Sequence, residues 1–342
     1  SINTLSCKGL NFIILLLVSL IVGCYMIINF KISRPSRNLK TYVFQRVYCR
    51  YFGMYSKEPS KLKGINEIYD QYDVYFIDLW GVMHNGLQCY PEALKVLSKL
   101  KDFNKKIVLM SNAPRPSSVV KLFLEKINLK NSYYDLLVTS GDVTREYIFS
   151  NKNKKKFYHL GPDKDQDLFK DMDVILHKKE ECNEIICTGL VFDEDEKLED
   201  YKSILEYFQK KKIPLICANP DEVVSRGSKV VFCAGALANK YQEMGGTVNY
   251  FGKPYPEIYN FALNKMGIYE KVKEKKTIPF VIGDNLKTDI KGANLFKLDS
   301  LLILNGIYKD FFRDGIVNFE QLKKSVNLED VKANFYQAEL SW

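Results

Sequence analysis

Short, continuously apolar segments alternate with segments of helical periodicity along the chain from about residue 65 onward. An uninterrupted apolar run is typical of a strand that a parallel sheet covers on both faces, whereas apolar residues three or four positions apart predict an amphipathic helix. The alternation of the two therefore predicts an α/β fold with a doubly wound parallel sheet. The first series of alternating segments contains predicted strands at 74–77, 107–110 and 136–139 and predicted helices at 91–100 and 119–127.

A lysine-rich stretch at 152–156 separates this first series from a second series with the same alternation. A chain of 342 residues with this many elements can form one large domain or two domains of ordinary size. The predicted strands of the second series lie at 156–160, 184–191, 214–218, 248–251, 279–282 and 301–304, and its predicted helices lie near 165–170 and at 198–210, 237–244 and 257–266.

The positive charge of the chain is concentrated in its N-terminal segment. The formal net charge is +9, but residues 1–57 hold eight basic and no acidic residues, which leaves 42 basic and 41 acidic residues in 58–342. The larger part therefore lacks the basic excess of nucleic-acid-binding proteins, and we expect no nucleic-acid partner. With 46% hydrophobic and 27% charged residues, the composition is that of a globular protein rather than a disordered one.

Residues 9–30 carry no charged side chain and are long enough to span a bilayer, which requires roughly 20 apolar residues. Basic residues are more frequent after this segment than before it, so a permanent anchor over 10–30 would leave the C-terminal domain in the cytosol. Alternatively, the segment is a signal sequence and 31–57 is a transit peptide, which would deliver the protein to the lumen of a plastid-like organelle. The sequence favours the anchor, because the apolar run is longer than that of a typical signal sequence.

The eight cysteines and three histidines show no spacing typical of a metal site or a disulfide framework. No two cysteines are in a CxxC arrangement, and the histidines at 84, 159 and 177 are far apart, so a zinc site is not expected. In a chain of this length, we predict that the cysteines are buried free thiols in a reducing compartment.

Polar residues of particular types follow four of the predicted strands. The carboxyl ends of parallel strands gather at one edge of a sheet, where α/β proteins bind their ligands. Two carboxylates from different strands suit Mg²⁺, whereas a hydroxyl group and an ammonium group suit a phosphoryl group. Each residue taken singly also has a structural explanation, such as capping of the turn after its strand. The residues are Asp78, Ser111 with Asn112, Lys253, and Asp284 with Asp289.

In this order the motifs resemble those of the haloacid dehalogenase (HAD) superfamily, which has an aspartate strand, a Ser/Thr strand, a lysine and an acidic pair. The matching segments are VYFIDLWGV, IVLMSNAPR, FGKPYPEIY and VIGDNLKTDIKGA. CANPDEVV and CAGALANKY resemble segments of the capped class IIA subfamily, and the DLWGV form together with Trp342 resembles one hydrolase-like branch of it. The resemblance extends over about residues 65–342.

The resemblance implies a hydrolase that cleaves a small phosphorylated metabolite through an aspartyl-phosphate. Asp78 would be the nucleophile, and Lys253 would be a second catalytic residue that also holds the phosphoryl oxygens. Ser111 and Asn112 would complete the phosphate-binding site. The cofactor would be Mg²⁺, and its ligands would be Asp78, Trp80 through its backbone carbonyl, Asp284 and Asp289.

The resemblance also implies a core that is interrupted by an inserted α/β cap. The cap would close over the site, exclude water and set specificity, with Asn219 and Asp221 as candidate substrate-contacting residues. It is also the candidate surface for a homodimer. The implied divisions are an N-terminal segment at 1–57, a first core part at 58–151, the cap at 152–247 and a second core part at 248–342.

One residue departs from the pattern of the superfamily. HAD phosphatases usually have a second aspartate two residues after the nucleophile, where it transfers protons, and this chain has Trp80 at that position. An indole does not transfer protons at neutral pH, and general acid–base catalysis is typically worth about 10²–10⁴-fold in rate. The chain is therefore either a hydrolase in which another group, such as His84, substitutes, or a pseudophosphatase with a binding role. A weaker alternative keeps the aspartyl nucleophile for phosphoryl transfer.

Overall fold

The computed structural model describes residues 58–342 except 193–194, 227–228, 314–315 and 329. The predicted membrane anchor or signal sequence at 10–30, and the basic stretch that follows it, lie outside the described residues. Within the described ranges, no helix is both long enough and apolar enough to cross a membrane.

The strands form a larger and a smaller parallel sheet and two short antiparallel hairpins. They are β1 (Ser60–Lys61), β2 (Val74–Asp78), β3 (Lys106–Ser111), β4 (Leu136–Thr139), β5 (Phe157–Leu160), β6 (Glu184–Cys187), β7 (Leu215–Cys217), β8 (Val223–Arg226), β9 (Lys229–Phe232), β10 (Val248–Tyr250), β11 (Pro279–Gly283), β12 (Asp299–Ile303), β13 (Phe312–Arg313), β14 (Ile316–Val317) and β15 (Phe335–Gln337). The larger sheet has seven strands in the order β1-β15-β12-β11-β2-β3-β4, and all neighbouring strands in it are parallel. The predicted α/β fold with a parallel sheet is therefore confirmed.

Helices connect the strands as the alternation predicts. Proline lies at the first helical position of both α1 and α6, where its fixed φ suits a helix and its missing N–H group is not needed. The helices are α1 (Pro91–Asp102), α2 (Ser117–Lys126), α3 (Ser140–Asn151), α4 (Lys202–Lys210), α5 (Ala234–Glu243), α6 (Pro256–Lys265), α7 (Tyr269–Lys273), α8 (Lys291–Leu295) and α9 (Phe319–Ser325), together with a π-helix at Leu286–Ile290 and 3₁₀ helices at Ile65–Glu67, Tyr69–Gln71, Asn131–Tyr133, Asp163–Leu168, Leu198–Tyr201 and Lys309–Phe311.

The smaller sheet has four parallel strands in the order β10-β7-β6-β5. Its strand β6 ends at Cys187, four residues before the predicted end at 191, because the neighbouring strands offer partners only up to Leu160 and Cys217. Strand β10 pairs with β7, so this sheet extends past the predicted cap boundary at 247. The bounds of the cap otherwise stay a prediction.

The register of the larger sheet determines where the predicted site residues lie. Asp78 at the end of β2 is paired with Met110, one residue before Ser111, and Ile77 is paired with Ile282 near the end of β11. All five residues of β2 are buried, as are those of β11. The carboxyl ends of three adjacent strands, β11, β2 and β3, are therefore side by side at one edge of the sheet.

Candidate active site

A buried lysine joins two carboxylates at this edge of the sheet. The Nζ atom of Lys253 donates a hydrogen bond to Oδ1 of Asp78 and another, of 2.7 Å, to Oδ1 of Asp289. All three side chains are buried. Solvent screens charges only weakly in a buried site, so the attraction between the ammonium group and the two carboxylates is strong. This attraction holds the three side chains of the charge triad together. The fold thus brings together three predicted site residues that are far apart in the sequence.

The pKa values of both Asp78 and Lys253 are raised, but for different physical reasons. Burial raises the pKa of Asp78 to about 7, and Asp289 adds to this increase, while Lys253 opposes it. Burial acts to lower the pKa of Lys253, but the attraction of Asp289 and Asp78 outweighs burial and raises that pKa. Lys253 is therefore firmly protonated, and its ammonium group is available to attract a phosphoryl group.

Three carboxylates in the site can offer ligands to one cation. One carboxylate oxygen each from Asp78, Asp284 and Asp289 lies within 4.8 Å of the others, and all three residues are buried. Burial, and then the neighbouring Asp78 and Asp289, raise the pKa of Asp284 well above its usual range. Three crowded carboxylates beside one ammonium group form an oxygen-rich, anionic site, which is the donor set that Mg²⁺ prefers.

The backbone around Asp284 leaves space for its carboxylate only because two nearby residues are glycines. A Cβ atom on Gly81 would lie 2.0 Å from Oδ2 of Asp284, and one on Gly306 would lie 1.8 Å from the same oxygen. The N–H group of Ile307 donates a hydrogen bond of 3.1 Å to this oxygen. The close approach of Gly81 also places the Trp80–Gly81 peptide beside the acidic cluster. The residues present therefore fit a metal ion.

Asn112 connects the second motif to the lysine loop. Its Oδ1 accepts a hydrogen bond of 2.7 Å from the backbone N–H of Lys253, and its Nδ2 donates one of 3.0 Å to the Lys253 carbonyl. The preceding residue, Ser111, accepts a hydrogen bond of 3.2 Å from the N–H of Ala113 through its Oγ atom. Asn112 is buried and holds the lysine loop, whereas Ser111 is a partly exposed residue.

Comparison with known proteins assigns the family. Residues 75–175 match the haloacid dehalogenase-like hydrolase family, and residues 250–323 match a HAD-hydrolase-like family. The fold is similar to that of a haloacid dehalogenase-like hydrolase from Brucella suis 1330, with a TM-score of 0.69 and 32% identity over 82% of this chain and 99% of that chain. This chain is a haloacid dehalogenase-like hydrolase. The resemblance that the four motifs indicate is therefore confirmed.

Further relatives of the family carry phosphatase names. The 4-nitrophenylphosphatase of Thermotoga maritima has the same fold, with a TM-score of 0.61 and 20% identity over 79% of this chain and 95% of that chain. The ribonucleotide monophosphatase NagD of Escherichia coli is 32% identical over 102 residues, which are 30% of this chain and 37% of NagD. The 4-nitrophenylphosphatase of Schizosaccharomyces pombe is 23% identical over 282 residues, which are 75% of this chain and 91% of that protein.

Trp80 and His84 form a packed turn after β2, the strand that ends at Asp78, in this HAD-like hydrolase. Their ring centroids are 5.2 Å apart in an edge-to-face arrangement, and the ring of Phe123 also packs edge to face with His84, at 5.5 Å. The Nδ1 atom of His84 accepts a hydrogen bond of 3.0 Å from the N–H of Gly86. Burial lowers the pKa of His84 to about 4, so this histidine is neutral at physiological pH. These contacts favour a structural role for His84 over a catalytic one.

The depressed pKa of His84 predicts a pH-dependent loss of stability. The unfolded chain, with a histidine pKa near 6.5, binds a proton that the folded chain excludes until about pH 4, so stability falls as pH decreases through this window. Between pH 7 and pH 5, we expect the unfolding free energy of the wild type to decrease by about 2 kcal/mol more than that of His84→Gln. Urea unfolding of the wild type and the variant at both pH values measures this difference. An equal decrease in unfolding free energy for the wild type and the variant would contradict the prediction.

Asn219 and Asp221 lie in the loop after β7, at the carboxyl end of the smaller sheet. Oδ1 of Asn219 accepts a hydrogen bond of 3.1 Å from the N–H of Asp221. Oδ1 of Asp221 accepts one of 3.0 Å from Nδ2 of Asn112, which joins the two sheets. The structure therefore brings Asp221 into contact with Asn112 of the second motif, whereas Asn219 shapes the loop.

The sequence motifs do not predict the residues that shape the site through their small size or their backbone. Gly306 and Ile307, which adjoin Asp284, lie after β12 and have no carboxylate, hydroxyl, amide or ammonium group in their side chains. Ser140, the first residue of α3, donates a hydrogen bond of 3.4 Å to Oδ1 of Asn112 and belongs to none of the four motifs. Position is the signal that the sequence offers for them, because Ser140 directly follows β4 and Gly306 lies shortly after the end of β12, at the edge where the carboxyl ends of the strands meet.

Proposed function

We propose that the protein is a Mg²⁺-dependent phosphatase that hydrolyses a phosphoric monoester of a small metabolite through an aspartyl-phosphate at Asp78. The observation that carries the proposal is the buried cluster in which Lys253 contacts Asp78 and Asp289 beside Asp284. The phosphatase names of related proteins support the same reaction class.

The residues of this chain have distinct parts in the proposed reaction. A carboxylate oxygen of Asp78 attacks phosphorus, and the bond from phosphorus to the leaving oxygen breaks. The ammonium group of Lys253 and the hydroxyl of Ser111 hold the phosphoryl oxygens, and water then cleaves the aspartyl-phosphate. Mg²⁺, when held by the three carboxylates, supplies charge that screens the phosphoryl group from Asp78.

The remaining sequence predictions belong to the same proposal. The segment at 152–247 closes over the site as a cap, excludes water and selects the metabolite, and it is the proposed surface of a homodimer. The segment at 10–30 anchors the protein in a membrane with the C-terminal domain in the cytosol. Delivery of the protein to a plastid-like lumen by a signal sequence and transit peptide is the alternative.

Removal of the metal tests the proposed reaction directly. We expect phosphate release from at least one member of a panel of p-nitrophenyl, sugar, glycerol and nucleoside phosphates in millimolar Mg²⁺. In EDTA the rate is expected to fall by about 10²-fold or more, because charge screening at the three carboxylates is lost. Re-addition of Mg²⁺ should restore the rate and serves as the control. Equal rates with Mg²⁺ and with EDTA would contradict the assigned role of the carboxylates.

A pseudophosphatase is the second candidate function, and Trp80 is the observation that favours it. The indole at this position removes the proton-transfer group that HAD phosphatases usually have there. In this case the folded protein would bind Mg²⁺ and a phosphorylated ligand, as measured by calorimetry, without releasing phosphate from any member of the panel.

A further inference from the structure

The loop after β7 holds Asp221 in a well-defined position. The N–H group of Asp221 is bound to Asn219, and its carbonyl accepts a hydrogen bond of 3.1 Å from the N–H of Gly235 at the start of α5. The loop packs so closely on this helix that a Cβ atom on Gly235 would lie 2.5 Å from the Asp221 carbonyl oxygen. The position of Asp221 is therefore determined by the backbone on both sides.

The side chain of Asp221 faces the phosphate-binding motif and the lysine loop. The Nδ2 atom of Asn112 donates both to Oδ1 of Asp221 and to the backbone carbonyl of Lys253, each at 3.0 Å. Pro220 packs on the lysine loop, since a Cβ atom on Gly252 would lie 2.7 Å from its Cδ atom. One asparagine thus separates Asp221 from the residue whose ammonium group contacts the nucleophile Asp78.

A carboxylate in this place would repel a phosphoryl group, whereas a protonated carboxyl group would not. Burial raises the pKa of Asp221, and Asp289 and Glu222 act in the same direction, while Lys253 and the hydrogen bond from Asn112 oppose them. The hydrogen bond from Asn112 uses Oδ1, and no described residue forms a hydrogen bond with Oδ2, which leaves that oxygen to donate or accept a proton. Asp221 is a partly exposed residue, and a general acid and base needs such access to a leaving group and to water.

Building on the proposed phosphatase function, we propose that Asp221 is the general acid and base of the reaction, the role that Trp80 does not fill. As the nucleophile Asp78 forms its bond to phosphorus, the carboxyl group of Asp221 gives its proton to the leaving oxygen, and an alcohol departs. The resulting carboxylate then takes a proton from the attacking water as oxygen bonds to phosphorus. The bond to Asp78 breaks, inorganic phosphate leaves, and both aspartates return to their starting states.

The substitution Asp221→Asn removes the transferable proton but keeps the oxygen that accepts the hydrogen bond from Asn112. With an alkyl phosphate such as glycerol phosphate, we expect kcat/KM to fall by about 10²–10⁴-fold, because the alkoxide leaving group needs a proton. With p-nitrophenyl phosphate the first step needs no proton, since the phenolate is stable. The variant should therefore release a rapid burst of about one equivalent of p-nitrophenolate and then turn over slowly, because no base activates water.

The matched control is Asp195→Asn, which makes the same change at an exposed position between β6 and β7. Its rates on both substrates should equal those of the wild type, and thermal unfolding of all three proteins checks their folding. An increase in KM for Asp221→Asn with unchanged kcat would overturn the inference, because Asp221 would then only bind the substrate. An equal loss on both substrates without a burst would overturn it as well. A wild-type protein that releases phosphate from no member of the panel would contradict the phosphatase function, and this inference with it.

Discussion

The substitution Asp78→Asn is expected to lower the rate of phosphate release by more than about 10³-fold, because an amide does not act as a nucleophile toward phosphorus. Asparagine has nearly the same shape as aspartate, so the packing at the end of β2 is retained. The measurement is steady-state phosphate release in Mg²⁺ with the best substrate of the panel, together with mass spectrometry of the acid-quenched protein for the aspartyl-phosphate. Both signals should disappear in the variant.

The same substitution is expected to preserve or increase stability. Burial raises the pKa of Asp78 to about 7 in the folded protein, above the usual value of 3.8, so ionisation of this group disfavours folding as pH rises between these values. The variant should consequently unfold at an equal or higher temperature than the wild type at pH 7 in EDTA. Asp102→Asn, at the exposed end of α1, is the matched control and should change neither activity nor stability. Substantial residual turnover in Asp78→Asn would exclude this residue as the nucleophile.

The substitution Lys253→Met is expected to have the largest effect on stability. It removes the ammonium group that pairs with both Asp78 and Asp289 and leaves these buried carboxylates without their cation. Loss of one partner of a buried ion pair typically costs about 3–5 kcal/mol of unfolding free energy. We expect a loss of this size at pH 7 in EDTA, measured by urea unfolding. We also expect loss of phosphate release, since the phosphoryl group loses its positive partner.

The pH dependence of this loss distinguishes charge from packing. Lys253 opposes the increase in the pKa of Asp78, so without the ammonium group this pKa rises further, and protonation of Asp78 at pH 5 should recover part of the stability that is lost at pH 7. The control is Lys287→Met, which breaks a half-exposed pair of 3.1 Å with Glu222 and should cost less than about 1 kcal/mol. A loss in Lys253→Met that is the same at pH 5 and pH 7 would show that side-chain packing, rather than the charge triad, is responsible.

Local patterns in the sequence determine the secondary structure and the type of chemistry. The apolar run before Asp78 has the length of one strand and no polar position within it, which predicts a strand that is covered on both faces. In the structure this run forms β2, and all of its residues are buried. The same reasoning predicts β11 before Asp284. Since parallel strands bring their carboxyl ends to one edge, the residue types at these ends also predict a phosphoryl and metal site.

Tertiary structure alone decides how the residues of the site contact one another. Asn112 lies 141 positions from Lys253 and 109 positions from Asp221 in the sequence. Hydrogen bonds between residues so far apart produce no local pattern from which they could be predicted. The extension of the smaller sheet by β10, past residue 247, likewise depends on pairing with β7 rather than on local composition. The pattern of apolar residues along the chain predicts which face of a helix or strand is buried. It does not predict which other helix or strand packs against that face, because this depends on the packing of the whole fold. For this protein, the sequence therefore predicts Asp78 as the nucleophile. Only the fold places Asp221, the proposed general acid and base, beside Asn112 and the lysine loop.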